Sequence, residues 1–93
     1  MDTWKFDQPP NCGVITTKDI MNNKNDILYV FHDDDDHGWQ FLSENSSNED
    51  FAIITLQQVV DIDPSVFEVA HIHPGWKASR KSKNDKWVIE QNY

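Results

Sequence analysis

Residues His32 to His37 read His-Asp-Asp-Asp-Asp-His, so every side chain in this run can ionise. Carboxylate oxygens are the ligands that Ca²⁺ and Mg²⁺ prefer. The run lacks the alternating ligands, the glycine and the distant glutamate of an EF-hand loop, and four adjacent aspartates cannot all face one ion. A solvated hairpin loop is the simplest interpretation. We prefer, among functional roles, a docking loop for a cationic partner, with a metal site as the next alternative. The candidate partner-binding residues of this docking loop are Asp33, Asp34, Asp35 and Asp36.

Two more histidines, His71 and His73, form a His-x-His pair. On a strand, side chains at this spacing share one face and can both bind zinc. A proline and a glycine follow the pair, which indicates a helix end or a loop, and zinc needs further ligands. Structural histidines are the simpler interpretation, and we predict no cofactor. The alternative is a metal-binding protein or a small metal-dependent enzyme using His32, His37, His71 and His73 with nearby aspartates.

Residue types for catalysis are present, but no catalytic motif surrounds them. Cys12 is the single cysteine, which allows no intramolecular disulfide, and it lies at the start of a predicted strand. No Gly-x-Ser-x-Gly elbow and no glycine-rich phosphate loop occur. Asp61 and Asp63 could serve as an acid and a base, but they lie where one predicted helix ends and another begins. The sequence leaves enzymatic activity open and favours a protein that is not an enzyme.

Two Gly-Trp pairs, Gly38-Trp39 and Gly75-Trp76, lead into predicted strands. Core packing is the simpler role for these tryptophans, because a buried Trp supplies a large apolar area. A partly exposed Trp39 beside the acidic run would instead suit an interface hot spot, where Trp is over-represented. We therefore add Trp39 to the candidate partner-binding residues.

The elements that must position these residues are short. The 93 residues fit one domain, residues 1–93, with an irregular N-terminal segment at 1–11. Thr17 is placed to cap a short helix beginning at Lys18, and Thr55 with Gln58 matches a capping box before a second helix. Asp63-Pro64 predicts a third helix start, with a second capping box at Ser65 and Glu68. Strands are predicted at 12–16, 27–32, 39–42, 51–54 and 76–80, and a last strand or helix at 87–89.

These short, interleaved segments leave little room for βαβ crossovers. They predict an α+β domain with a mainly antiparallel sheet and two or three short helices packed on one side. The run Ile27 to His32 is apolar on both faces, which predicts a central strand covered on both sides. The run Trp39 to Leu42 pairs with it as a hairpin that carries the acidic loop.

The net charge of the chain restricts the classes of partner that it can bind. The formal net charge is −8, which disfavours nucleic acid and anionic membranes and attracts a basic protein. Fourteen acids against three bases give −11 over residues 1–70, and two acids against five bases give +3 over residues 71–93. No signal sequence or apolar run of spanning length occurs, so we expect a soluble cytoplasmic protein.

Several short motifs, taken in order, resemble the small bacterial immunity-protein-33-like domains. They are Ile-Thr-Thr-Lys at 15–18, Ile-Leu-Tyr-Val at 27–30, the acidic loop running into Gly-Trp-Gln-Phe at 33–41, the helical stretch 56–61, Asp-Pro-Ser at 63–65, and Gly75-Trp76. The resemblance covers about residues 12–80. It implies a single α+β domain and a protein that binds and neutralises a bacterial toxin, and it carries over no catalytic residues.

Three functions therefore stand as hypotheses. The first is a binding protein whose acidic loop meets a basic, toxin-like protein. The second is the metal-binding protein or metal-dependent enzyme. The third is a structural or accessory domain that self-associates through its basic end, formed by Lys77, Arg80, Lys81, Lys83 and Lys86. The sequence does not fix the oligomeric state.

Overall fold

The computed structural model describes residues 4–44 and 51–92, and over these ranges it contains a six-stranded sheet and three short helices. The strands are β1 (Gly13–Thr17), β2 (Tyr29–His32), β3 (Trp39–Leu42), β4 (Phe51–Thr55), β5 (Trp76–Ser79) and β6 (Val88–Gln91). The helices are α1 (Lys18–Met21), α2 (Leu56–Ile62) and a 3₁₀ helix (Pro64–Val69).

The sheet has the strand order β4-β1-β3-β2-β5-β6. The β1–β3 pair is parallel, and the other four pairs are antiparallel. The predicted α+β class with a mainly antiparallel sheet is confirmed. The last predicted element, left open as strand or helix, is the edge strand β6. The segment 43–50 is polar throughout and predicts a loop. Its residues 45–50 lie outside the described residues.

One face of the sheet packs on the helices and holds the core. Side chains at alternate strand positions point to it, as the two-residue period of a strand requires. Each strand from β1 to β5 supplies at least one buried residue there, and α1, α2 and the 3₁₀ helix cover them. The buried core residues include Val14, Val30, Trp39, Phe41, Ile54, Ala78, Ile20, Leu56, Val59, Val66 and Val69. The helices therefore lie on one side, as predicted.

The helix starts follow the capping signals in part. The predicted capping box is present: Thr55 Oγ1 accepts from Gln58 N–H at 3.1 Å, and Gln58 Oε1 accepts from Thr55 N–H at 2.8 Å. The box predicted at Ser65 and Glu68 is wrong, because the Ser65 hydroxyl donates to Asp63 instead, at 2.7 Å. Asp63 itself caps the 3₁₀ helix by accepting from Ser65 N–H at 3.0 Å.

Thr17 precedes α1 as predicted, but its side chain makes no capping hydrogen bond. The Thr17 hydroxyl donates to the Asp19 carboxylate, which also accepts from Ser43 Oγ at 2.6 Å and Asn25 Nδ2 at 2.8 Å. Burial opposes ionisation of Asp19, but these hydrogen bonds outweigh it and lower its pKa below the ordinary value of 3.8. Asp19 thus organises the turn after α1.

The opposite face of the sheet is open, which corrects the expectation that β2 is covered on both sides. Strand β2 is central, but Tyr29 on this face is 38% exposed. We call this the outer face. No helix covers it within the described ranges, because the three helices pack against the core side. Its apolar residues are Ile15, Tyr29, Phe31, Leu42, Phe51, Ile53 and Val88.

Candidate partner-binding site

The acidic loop, residues 33–38, joins β2 to β3 at one end of the sheet. The hairpin register pairs Val30 with Phe41 and His32 with Trp39, and Asp33 N–H donates to the Gly38 carbonyl at 2.8 Å. These pairings close the hairpin directly at the loop. The loop predicted from the sequence is therefore the connection that the structure shows.

Hydrogen bonds within the loop fix several of its carboxylates. Asp36 Oδ1 accepts from Gly38 N–H at 2.8 Å, and Asp35 Oδ1 accepts from Asp36 N–H at 2.9 Å. Asp33 accepts from the Gln40 side-chain amide on the outer face. His37 has a φ of 58°, a left-handed conformation that is uncommon outside glycine. The loop thus has a defined shape that holds its acids in place.

Neighbouring segments support the loop from two sides. Gly75 N–H donates to the His32 carbonyl at 2.7 Å, and Gln8 Nε2 lies 3.5 Å from the His37 carbonyl oxygen. Gly75 has a φ of 86°, and a Cβ added there would lie 3.6 Å from the Asp34 side chain. The glycine allows the positive φ of this turn, whereas an added Cβ would make only an ordinary contact with Asp34. The loop is therefore held against the turn before β5.

No cation within the described residues neutralises the loop. Asp34, Asp35 and Asp36 are exposed, and Asp33 is half-buried. The ion pairs of residues 4–44 and 51–92 are His32 with Asp7 and Arg80 with Asp63, and neither involves a loop carboxylate. The loop therefore presents a concentrated negative potential to solvent, of the kind that steers a basic protein toward it.

Trp39 is buried in the core, whereas an interface residue is expected to be exposed. Its side chain is 1% exposed, it stacks on His32 with ring centroids 3.9 Å apart, and its Nε1 donates to Asp7 at 2.9 Å. A fully buried ring offers no contact area to a partner. Trp39 is therefore removed from the partner-binding residues, and its role is to anchor the start of β3 beneath the loop.

His32 is also part of the core side. It is 4% exposed; its Nδ1 lies 2.8 Å from the Ile72 carbonyl oxygen, and its Nε2 lies 3.1 Å from Asp7 Oδ2. The Nε2 contact is an ion-pair distance without hydrogen-bond alignment. Both nitrogens thus face oxygen atoms of the protein, and the ring could bind a metal only by leaving them.

The other three histidines do not complete a metal site. His37 lies 6.2 Å from His32 between ring centroids, whereas His71 and His73 are exposed. In the part of the chain that the structure describes, no group of three or more His, Cys, Asp or Glu side chains is placed to hold a metal ion. The structure does not gather the four histidines into one ligand set.

A buried ion pair that the sequence did not reveal lies at the opposite end of the sheet. Arg80 Nη2 donates to Asp63 Oδ2 at 2.7 Å, and the guanidinium also donates to the Ile27 carbonyl from Nε at 3.1 Å. Burial opposes ionisation of Asp63, but hydrogen bonds from Ser65 and Arg80 outweigh it and lower its pKa below 3.8. Arg80 therefore does not belong to a solvated basic end but fastens β5 to the helices.

A groove of about 580 Å³ lies beside this pair. Its rim carries Lys81 and Lys86 but also Glu44 and Asp85, and Tyr29 and Val88 reach it from the outer face. These charges balance, so the groove favours neither a cationic nor an anionic ligand. The unneutralised acidic loop remains the stronger candidate site.

Comparison with known proteins gives one finding. The family model of the immunity protein Imm33 domain matches residues 12–90. No curated protein and no solved structure matches. Within the described ranges, no helix is both long and apolar enough to cross a membrane.

Proposed function

This chain belongs to the Imm33 immunity protein domain family, and from that premise we propose that it binds and neutralises a basic protein toxin through its acidic loop. The family implies an immunity function and a protein toxin as partner. Our proposal adds the site, the charge of the partner and the cytoplasm as the place of action.

The observation that carries the proposal is the lack of internal neutralisation at residues 33–36. The buried Asp63 is paired with Arg80, and the half-buried Asp19 and Asp33 accept hydrogen bonds from uncharged side chains of other segments. Asp34, by contrast, is exposed, and no lysine or arginine of the described chain pairs with it. A partner that supplies cations would relieve the mutual repulsion of the loop carboxylates.

The neutralisation would follow from the same electrostatics. Toxins that act on nucleic acids need a basic cleft for the phosphate backbone. An acidic loop that enters such a cleft takes the place of the phosphates and prevents the nucleic acid from binding there. The loop has a fixed shape, so little conformational freedom is lost when it binds.

The test is capture of the toxin from a lysate of the source organism at low and moderate salt. The bait is the intact chain, and the control bait carries Asn at positions 33–36. We expect a basic toxin that the native chain retains and the control loses, and whose purified activity the native chain inhibits. A toxin retained equally by both baits would contradict the role of the loop. A native chain that inhibits no toxin would contradict the immunity function.

A further inference from the structure

The outer face is unusually apolar for a solvated sheet face. Ile53 is 76% exposed, Val88 58% and Phe51 45%. An antiparallel sheet with one open face normally alternates apolar residues toward the core with polar residues toward water. Contiguous exposed apolar patches on a soluble protein mark interaction sites. The side chains of this face therefore call for a role that core packing does not supply.

These residues form a continuous surface rather than scattered positions. The strand register places Ile53 opposite Ile15, Ile15 opposite Gln40, and Gln40 opposite Phe31. The next row holds Leu42 opposite Tyr29. Because neighbouring strands lie about 4.8 Å apart, side chains in such rows touch across the sheet.

The apolar surface continues directly into the acidic loop. Gln40 lies on the outer face between Ile15 and Phe31, and its side-chain amide contacts both carboxylate oxygens of Asp33. Lys77 also lies on this face, opposite Glu90 of β6 in the strand register, and within the described ranges it forms no ion pair with a loop carboxylate. The surface thus combines exposed apolar side chains with unpaired carboxylates at one end.

We propose that the outer face and the acidic loop together form one docking surface for the toxin. The matching surface of the toxin is an apolar patch bordered by lysine and arginine side chains. Charge selects this occupant over a second copy, because another copy would bring the same net charge of −8 and repel the first. The inference rests on the proposed function and adds the apolar half of the contact.

The experiment measures the dissociation constant of the purified toxin for two matched variants, Ile53→Glu and Met21→Glu. Both residues are exposed, at 76% and 39%, and both changes add one negative charge. Met21 lies on α1 and lines a groove with Ile54 and residues of α2, on the helical side of the sheet. If attraction were electrostatic alone, Ile53→Glu would bind a basic toxin as well as or better than the native chain. Docking on the apolar face predicts instead a weakening of about tenfold or more, with Met21→Glu within about twofold of the native chain.

A second variant on another strand, Val88→Glu, guards against a folding defect in the first, and circular dichroism confirms the fold of each. We expect weaker binding for Val88→Glu as well. Native affinity in both face variants would overturn the docking surface and leave the proposed function intact. A native chain that binds no toxin would overturn both. A native chain that sediments as a dimer, and becomes a monomer with Ile53→Glu, would assign the face to a second copy and overturn the toxin as its occupant.

Discussion

The side-chain nitrogen of Gln40 lies 3.1 Å and 3.0 Å from the two carboxylate oxygens of Asp33. This contact joins the first residue of the acidic loop to the outer face of the sheet. It orients one acid without neutralising it, since a primary amide carries no charge. Hydrogen bonding thereby connects the loop to the sheet at the point where we propose that a toxin binds.

Replacing Gln40 with Ala should weaken toxin binding without changing the net charge. The Asp33 carboxylate would lose its amide donor and its fixed orientation, at a cost of about 1 kcal/mol or about fivefold in affinity. Isothermal titration calorimetry with the purified toxin measures this change. Native affinity in Gln40→Ala would show that the orientation of Asp33 is irrelevant to binding.

The Arg80–Asp63 pair makes a separate prediction about stability. Arg80→Ala would leave a buried carboxylate without its cation, and such a loss costs about 3–5 kcal/mol. The variant should unfold at a much lower urea concentration than the native chain. Lys81→Ala, next in sequence and exposed, is the control and should change stability little. Equal effects from the two variants would contradict the role assigned to Arg80.

The lowered pKa values of Asp63 and Asp19 predict the direction of acid sensitivity. A carboxyl group whose pKa is lower in the folded state stabilises the fold above its unfolded value of about 3.8. That contribution is lost as the pH falls below this value toward the folded pKa. Stability should therefore decline with acid in this range, and Asp63→Asn should decline less steeply. Urea unfolding at a series of pH values measures both slopes, and parallel curves would refute the assignment.

Asp7 fastens the N-terminal segment to the sheet. Its carboxylate accepts from Trp39 Nε1 at 2.9 Å and lies 3.1 Å from His32 Nε2. Asp7→Ala should lower the free energy of unfolding by about 1–3 kcal/mol, because a buried donor is left unsatisfied. Asp7 and Glu68 are both exposed, but the Glu68 carboxylate makes no hydrogen bond within the described residues, so Glu68→Ala is the control. Unfolding followed by tryptophan fluorescence distinguishes the two, and an unaffected Asp7→Ala would argue against this anchoring.

Sequence patterns correctly predicted the elements that depend on interactions between residues close together in the chain. The hairpin around residues 33–38 follows from two apolar runs joined by a polar stretch, and the box at Thr55 and Gln58 from a three-residue spacing. The edge-strand position of β4 and its pairing with β1 were not predictable in this way, since they depend on contacts between distant segments.

The main errors have the same physical origin. An apolar residue in a short strand gives the same sequence pattern whether a helix or water covers its side chain. The prediction that β2 is covered on both faces was therefore wrong at Tyr29. The buried Trp39 ring packs on Phe6 and donates a hydrogen bond to Asp7, which lies 32 positions earlier. Arg80 and Asp63 likewise meet across 17 positions. Pairings of this kind leave no local signal in one sequence.

The most direct test of the central claim is the affinity of the purified toxin for a loop variant at two salt concentrations. The variant is Asp34→Asn/Asp35→Asn/Asp36→Asn, and the charge-matched control is Asp26→Asn/Asp61→Asn/Glu68→Gln, which alters three exposed acids away from the loop. We predict about tenfold weaker binding and a shallower salt dependence for the loop variant, with the control close to the native chain. Equal losses in both would mean that only net charge matters and would contradict a binding site at the acidic loop.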